Sequence, residues 1–191
     1  MEPIVLYKVC KSFDEKTVLQ ELSMNIPQGE TTALMASSGQ GKTTLLRILM
    51  GLEQVDSGYI SGMEGLQKSA VFQEDRLCEN LNPIANIRLT NPSLSYIQIL
   101  EAMHEMKLFD CEHQAAAELS GGMRRRVAIL RALLAEWDIL FLDEPFKGLD
   151  AETKRQVMAM TCRLCRERTV LLVTHDLSEA KAMAASGLIS W

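Results

Sequence analysis

The chain has 191 residues, of which 47% are hydrophobic and 24% are charged, and its formal net charge is −5. This composition predicts a soluble globular protein with one large domain or two closely joined ones. The acidic balance argues against a general nucleic-acid binder, whose affinity depends on clustered Lys and Arg. No apolar run approaches the roughly 18 residues that a membrane-spanning helix needs, and the N-terminus lacks a signal-peptide pattern, so we expect a cytoplasmic protein.

The first third of the chain predicts short strands. Residues 4–10 and 17–26 are apolar or alternate in polarity around a polar turn, which indicates an antiparallel pair. Residues 57–62 and 68–72 predict two more strands, the second ending at Gln73.

Residues 32–44 indicate a buried strand, a glycine-punctuated turn and the start of a helix. Such a turn points backbone N–H groups at one spot, and the helix dipole adds to this anion pocket. Lys42 suits the β- and γ-phosphates of a nucleotide, and the Thr43 hydroxyl suits magnesium. The spacing fits a Walker A loop except at Ala36, where the pattern has glycine. The turn residues that we predict to bind the phosphates are Ser37, Ser38, Gly39, Gln40, Gly41, Lys42, Thr43 and Thr44.

The middle of the chain is predicted to be helical. Pro83 and Pro92 are expected to break regular structure, and Ser120 opens a helix that runs to about residue 135. The segment 93–108 has apolar residues at a spacing that predicts a helix: Ile97, Leu100, Met103 and Leu108. The basic cluster of residues 124–126 is interpreted as a solvated helix start rather than a nucleic-acid patch.

The last third predicts central parallel strands joined by helices. Residues 138–145 form an apolar run that ends in Asp143 and Glu144, as in a strand buried on both faces. A helix over residues 151–168 leads to the strand 169–173, which carries His175 at its end. Residues 177–185 and 188–190 predict a final helix and strand. The five cysteines are an odd number in a chain of cytosolic character, so we expect no structural disulfide.

These strand ends predict a single site. Parallel strands would bring the Walker A turn, Gln73, the Asp143–Glu144 pair and His175 to one edge of a sheet. Phosphoryl transfer to water needs such a set. We assign Lys42 to phosphate charge, Thr43 and Asp143 to magnesium, and Glu144 to the attacking water.

Residues 119–123, Leu-Ser-Gly-Gly-Met, stand between these motifs, and in that order the chain resembles the ATP-binding cassette (ABC) family over nearly its whole length. The resemblance implies an α/β fold: a P-loop NTPase (RecA-like) core with an antiparallel β subdomain and an inserted α-helical subdomain. It divides a single domain, residues 1–191, into a core (residues 1–73 and 136–191) and a helical signature subdomain (about residues 74–135).

The resemblance also assigns roles to further residues. Phe13 would stack on adenine, although packing under a loop explains it equally well from spacing alone, and Gln73 would touch magnesium and relay to a membrane partner. Asp150 would lie at a dimer seam, and His175 would contact the γ-phosphate. The signature residues that would close over the partner's ATP are Ser120, Gly121 and Gly122. The implied cofactors are therefore ATP and Mg²⁺.

Residues 120–129 and 71–77 most resemble the nitrate, sulfonate and taurine import branch of the family. This implies membrane-spanning permease subunits, an extracytoplasmic solute-binding protein, a cassette homodimer that forms on ATP binding, and a peripheral location on the inner face of the cell membrane. Met123, where the family usually has glutamine, removes a side-chain hydrogen bond near the signature. Because the chain ends soon after His175, we expect no regulatory domain.

Two alternatives stay open. A non-transport cassette acting on nucleic acid or the ribosome would usually carry two cassettes or long coiled-coil insertions, which this chain lacks. A degenerate cassette that binds ATP without cleaving it is suggested by Ala36 and Met123. The set Lys42, Asp143, Glu144 and His175 argues against degeneracy.

Overall fold

A computed structural model describes residues 2–35 and 39–189 of the chain. Within these ranges it has eight strands and six α-helices. The strands are β1 (Ile4–Phe13), β2 (Lys16–Ile26), β3 (Thr31–Leu34), β4 (Ser57–Ser61), β5 (Lys68–Val71), β6 (Ile139–Asp143), β7 (Thr169–Val173) and β8 (Gly187–Ile189). The helices are α1 (Lys42–Leu49), α2 (Pro83–Arg88), α3 (Tyr96–Glu105), α4 (Gly121–Leu134), α5 (Ala151–Leu164) and α6 (Leu177–Ala182). None of these helices is both long and apolar enough to cross a membrane.

The strands form two sheets. An antiparallel sheet has the order β2-β1-β4, and a parallel sheet has the order β5-β6-β7-β3-β8. Every residue of β3, β6 and β7 is buried, as expected for strands covered on both faces. The predicted antiparallel pair and central parallel strands are confirmed. The two strands predicted over residues 57–62 and 68–72 lie in different sheets.

The segment between β5 and β6 contains only helices and irregular structure, as predicted. Pro83 was expected to break structure, but it is the first residue of α2, where the side chain of Asn82 accepts a hydrogen bond from the N–H of Ala85. Proline suits this position because the first N–H of a helix has no partner within the helix.

The segment 93–108 contains the helix α3, as its spacing predicted, but its four apolar residues are not equally buried: Met103 and Leu108 are buried and Leu100 is half-buried. Ile97 is 65% exposed, whereas Ile99 and Met103 are fully buried. Both sides of this helix carry apolar residues, so periodicity alone could not choose between them. The buried side is the one that packs against the neighbouring helices α2, α4 and α5.

Two hydrophobic cores hold the molecule together. One lies between the helical segment and the parallel sheet and includes Ile99, Ile129 and Leu140. The other lies between the two sheets and α1 and includes Leu45 and Phe141. The parallel sheet is thus packed on both faces, and its strand ends are held by both cores.

We expect Phe141→Ala to lower the free energy of unfolding by about 3–5 kcal/mol, because it leaves a cavity in the middle of β6. Chemical denaturation followed by circular dichroism measures this loss. Leu52→Ala, at a position that is 51% exposed, is the control and should cost less than about 1 kcal/mol. Equal losses would contradict the placement of Phe141.

Candidate active site

The predicted groups meet at the carboxyl edge of the parallel sheet. There they surround a cavity of about 400 Å³. Its walls come from the turn before α1, the ends of β5, β6 and β7, and the start of β2. The lining residues are Lys16, Val18, Gly39, Gly41, Lys42, Thr43, Thr44, Gln73, Asp143, Glu144, Lys147 and His175. The described part of the Walker A turn, Gln73, the two carboxylates and His175 thus line one cavity, and their roles in it stay predictions.

The turn before α1 depends on glycine. Gly39 and Gly41 both have a positive φ, +84° and +83°, which L side chains rarely adopt. A Cβ at Gly41 would lie 2.8 Å from the carbonyl oxygen of Val18, whereas one at Gly39 would meet nothing within 4 Å. Gly41 therefore fixes how closely the turn approaches β2. Gln40 is exposed and borders a neighbouring groove along β2. Of the predicted turn residues, Ala36, Ser37 and Ser38 lie outside the described ranges.

Lys42 and Asp143 are buried charged groups in this cavity, 7% and 3% exposed. Burial lowers the pKa of Lys42, and the charges of Glu144 and Asp143 act against that shift. Burial raises the pKa of Asp143, against the effect of the Thr43 hydroxyl, which donates to Oδ2 at 3.0 Å. The ammonium of Lys42 lies 3.4 Å from Nε2 of His175. These contacts place a cation, a hydroxyl and a carboxylate at the mouth of the phosphate turn.

Both carboxylate oxygens of Glu144 have cationic or polar partners. Oε1 lies 3.0 Å from Nε2 of His175, and Oε2 lies 2.7 Å from the ammonium of Lys147. Burial opposes ionisation, but Lys147 and then His175 and Lys42 bring the pKa of Glu144 below its usual value. The backbone of Glu144 has φ +45°, and its N–H donates to the carbonyl of Val173 at 2.9 Å. The carboxylate is thus held between His175 and Lys147, and its ionised form is favoured.

Sequence analysis did not identify Lys147 as a site residue, because residues 147–150 were interpreted only as a turn. Its N–H donates to the carbonyl of Glu144 at 3.2 Å, so the turn returns the lysine to the carboxylate. A lysine three residues after a strand-end carboxylate, in a tight turn, was the available signal.

The predicted signature residues lie apart from the 400 Å³ cavity. Ser120 caps α4, where its hydroxyl accepts a hydrogen bond from the N–H of Met123 at 3.3 Å. Gly121 and Gly122 border a second cavity of about 370 Å³, together with Gln73 and Lys147. The N-terminal end of this 14-residue helix therefore opens beside the nucleotide cavity rather than into it.

Asp150 and Phe13 are also outside the walls of the 400 Å³ cavity. Asp150 caps α5 by accepting from the N–H groups of Thr153 and Glu152, which lower its pKa. Phe13 ends β1 and is 43% exposed, with the ammonium of Lys11 5.2 Å from its ring centroid.

The basic cluster at the start of α4 is not a solvated surface, contrary to expectation. Arg125 is only 6% exposed, and Arg126 is half-buried. Arg126 donates to the carbonyls of Gly122, Met106 and Lys107. The sequence prediction did not distinguish the three arginines, because charge alone does not indicate which one faces inward.

The cavity, its buried lysine beneath a glycine turn and its paired strand-end carboxylates define a nucleotide-hydrolysing P-loop protein. Comparison with known proteins identifies the family: the model for "ABC transporter" matches residues 19–147. The chain therefore belongs to the ABC transporter family, as its sequence predicted, and it is an ATP-binding protein and an ATPase.

Individual relatives agree with the family match. An aliphatic sulfonates import ATP-binding protein of Rhodococcus jostii is 42% identical over 190 residues, which covers 97% of this chain and 70% of that protein. Proteins with the same description are 38% identical in Pseudomonas fluorescens, covering 95% of this chain and 71% of the relative, and 38% identical in Paracoccus denitrificans, covering 95% and 76%.

We expect Gly41→Ala to destabilise the protein more than Gly39→Ala, since both impose a positive φ on alanine but only the first collides with β2. The difference should be on the order of 1–3 kcal/mol, the range for overpacking a tight contact. Thermal unfolding without nucleotide measures it apart from any effect on ATP binding. Equal stabilities would show that the approach to Val18 is not tight.

Proposed function

We propose that this chain is the ATP-hydrolysing subunit of an importer and that it works as a head-to-tail homodimer. The observation that carries the proposal is the cavity in which Lys42, Thr43, Asp143, Glu144 and His175 converge. The importer assignment is supported by the descriptions of the relatives. The proposed moving parts are the core, residues 1–73 and 136–191, and the helical signature subdomain, about residues 74–135.

Phosphate binding is assigned to the turn before α1. Lys42 and the backbone N–H groups of residues 37–44 would neutralise the β- and γ-phosphates. Burial has already removed Lys42 from water, so its charge acts on phosphate with little screening. Phe13, or the groove beside it, is proposed for the adenine.

The chain fits Mg²⁺ as the accompanying metal. The Thr43 hydroxyl and the Asp143 carboxylate lie 3.0 Å apart, and hard oxygen donors of this kind are what Mg²⁺ prefers. The described residues contain no group of three or more His, Cys, Asp or Glu side chains that could hold a metal alone. Few protein ligands suit Mg²⁺ here, because phosphate oxygens and water complete its shell. Bound Mg²⁺ would withdraw charge from the β- and γ-phosphates, and Gln73 would lie at its edge.

Glu144 is assigned to the attacking water. It would accept a hydrogen bond from that water and take up its proton as the water attacks the γ-phosphorus. Both of its oxygens are engaged by His175 and Lys147, and these are the two groups that an incoming γ-phosphate would attract. We infer that ATP binding moves them towards phosphate oxygens and frees Glu144 to hold the water.

The dimer is inferred from the position of the α4 N-terminus, which lies outside the cavity of its own chain. The start of α4 offers a helix N-terminus and the N–H groups of Gly121 and Gly122, but the same chain does not direct them into its own cavity. An anion site of this kind fits the phosphates of a nucleotide bound by a second copy. Asp150, at the N-terminus of α5, is proposed to lie at the seam.

The proposed partners are membrane-spanning permease subunits, with an extracytoplasmic solute-binding protein in the same system. The chain would then lie on the cytoplasmic face of the membrane, with residues 76–86 as the docking segment. The relatives' descriptions suggest an aliphatic sulfonate as the solute.

We expect Glu144→Gln to retain ATP binding while slowing hydrolysis by about a hundredfold or more, because the amide cannot accept the proton. Light scattering with ATP and Mg²⁺ should show the variant as a dimer, and the same sample with ADP, the control, as a monomer. A variant that binds ATP but stays monomeric would contradict dimer closure without membrane subunits.

We expect this chain to restore uptake of a labelled alkanesulfonate in a bacterium that lacks the ATP-binding subunit of its own sulfonate importer. Glu144→Gln is the matched control and should not restore it, since it folds but does not turn over. If the wild-type chain hydrolyses ATP and co-purifies with the permease but restores no uptake, the proposed solute class is contradicted. The assignment as an importer ATPase would not be affected by that result.

A further inference from the structure

Helix α4 has three successive arginines, residues 124–126, in its first two turns, and the middle one, Arg125, makes a set of contacts that the assigned chemistry does not use. All three of its guanidinium nitrogens donate to oxygen. Nε donates to the carbonyl of Pro145 at 2.8 Å. Nη1 donates to the carbonyl of Phe72 at 2.5 Å, to that of Gln73 at 3.4 Å and to Oδ1 of Asp75 at 3.2 Å. Nη2 donates to the carbonyls of Glu144 at 2.7 Å and Asp143 at 3.0 Å.

These six acceptors belong to two segments of the active site. Phe72, Gln73 and Asp75 follow strand β5, while Asp143, Glu144 and Pro145 end β6 and begin the turn after it. The carbonyls of Gln73, Asp143 and Glu144 belong to the same residues whose side chains line the nucleotide cavity. One guanidinium therefore holds the backbone beneath three site residues and joins it to the helix that starts at the signature.

Only an arginine can make this connection from one position. Burying a positive charge is costly unless it is fully hydrogen-bonded, and here it is satisfied by five carbonyls and one carboxylate. The planar fork reaches both segments at once. A lysine ammonium has three donors on a single atom, and a glutamine amide has two, so neither can replace the fork.

A second arginine extends the contact along α4. Arg131 donates to the carbonyls of Arg76 at 2.9 Å and Asp75 at 3.3 Å. The loop that follows Gln73 is therefore held to α4 at two points, Arg125 and Arg131, six residues apart. This loop leads into residues 76–86, the proposed docking segment.

We propose that Arg125 is a positioning residue for ATP hydrolysis: it sets Gln73, Asp143 and Glu144 relative to the start of α4 in the same chain. It lies against the backbone beneath the site and touches no reacting atom. A movement of the loop after Gln73 would pass through Arg125 to the two carboxylates and to the signature end of α4. The inference rests on the proposed function, since it assigns a role within that same site.

A positioning role differs measurably from a purely structural one. The acceptors of Arg125 include neither Lys42 nor a residue of the turn before α1, so we expect ATP affinity to survive its loss, whereas the placement of Glu144 should not. The expected signature is a lower kcat with an almost unchanged KM. A purely structural arginine would lower stability and leave kcat intact below the unfolding temperature.

The experiment measures kcat, KM and thermal unfolding for Arg125→Gln and Arg125→Lys. We expect kcat to fall at least tenfold in both variants, with KM within threefold of wild type, and we expect lysine not to rescue. Arg124→Gln is the control on the same helix, because Arg124 only pairs with Glu79 at the surface. Arg168→Gln is the stability control, since Arg168 stacks on Trp137 and donates to its carbonyl away from the site.

A kcat for Arg125→Gln no lower than that of Arg168→Gln would overturn the proposal. If the Arg125 variants do not fold, Asp75→Asn decides, because it loosens the guanidinium but keeps its five carbonyl contacts. We expect kcat to fall two- to fivefold in Asp75→Asn, and an unchanged kcat would overturn the proposal. Failure of the proposed function would give a different result. The wild-type chain would then not hydrolyse ATP, and the Glu144→Gln variant would not form a dimer with ATP.

Discussion

The compensation of buried charge at the carboxyl edge of the parallel sheet determines how this site is built. Lys42, Arg125 and Asp143 are each less than 10% exposed, and each would be costly to bury unpaired. Asp143 is stabilised by a hydroxyl, Arg125 by five carbonyls and a carboxylate, and Lys42 by two carboxylates nearby. If the strand ends separated, one of these charges would be exposed to water or would lose its partner. The same contacts therefore stabilise the local fold and hold the site residues in place.

Much of the fold and most of the site could be predicted from sequence because they follow from local patterns. Alternation predicts β1 and β2, apolar runs predict β6 and β7, and strand ends in a parallel sheet must share an edge. The Walker A spacing places Lys42 and Thr43 without any knowledge of tertiary contacts. The roles of Ser120 and Asp150 towards a second chain remain predictions, since in one chain both act as helix caps.

The remaining features depend on tertiary contacts that leave little trace in the local pattern. The spacing of apolar residues predicts the helix α3 but not its inward face, because apolar residues lie on both sides of it; packing against α2, α4 and α5 buries Ile99 and Met103 and leaves Ile97 exposed. Arg125 is indistinguishable in sequence from its two neighbours, and what buries it is the presence of carbonyls from β5 and β6. Lys147 is visible only once the turn after Glu144 is known to fold back.

The charges that line the cavity bear on the proposal that two chains share each site. Three lysines and two carboxylates line the cavity, so its own side chains nearly balance, with Glu144 held between Lys147 and His175. A nucleoside triphosphate brings several negative charges. The excess of lysines over carboxylates in the cavity is too small to neutralise these charges alone. The deficit can be met by a metal at Thr43 and Asp143 and by a second helix N-terminus. The start of α4 lies outside the cavity of its own chain, which supports the proposal that the second terminus comes from another copy.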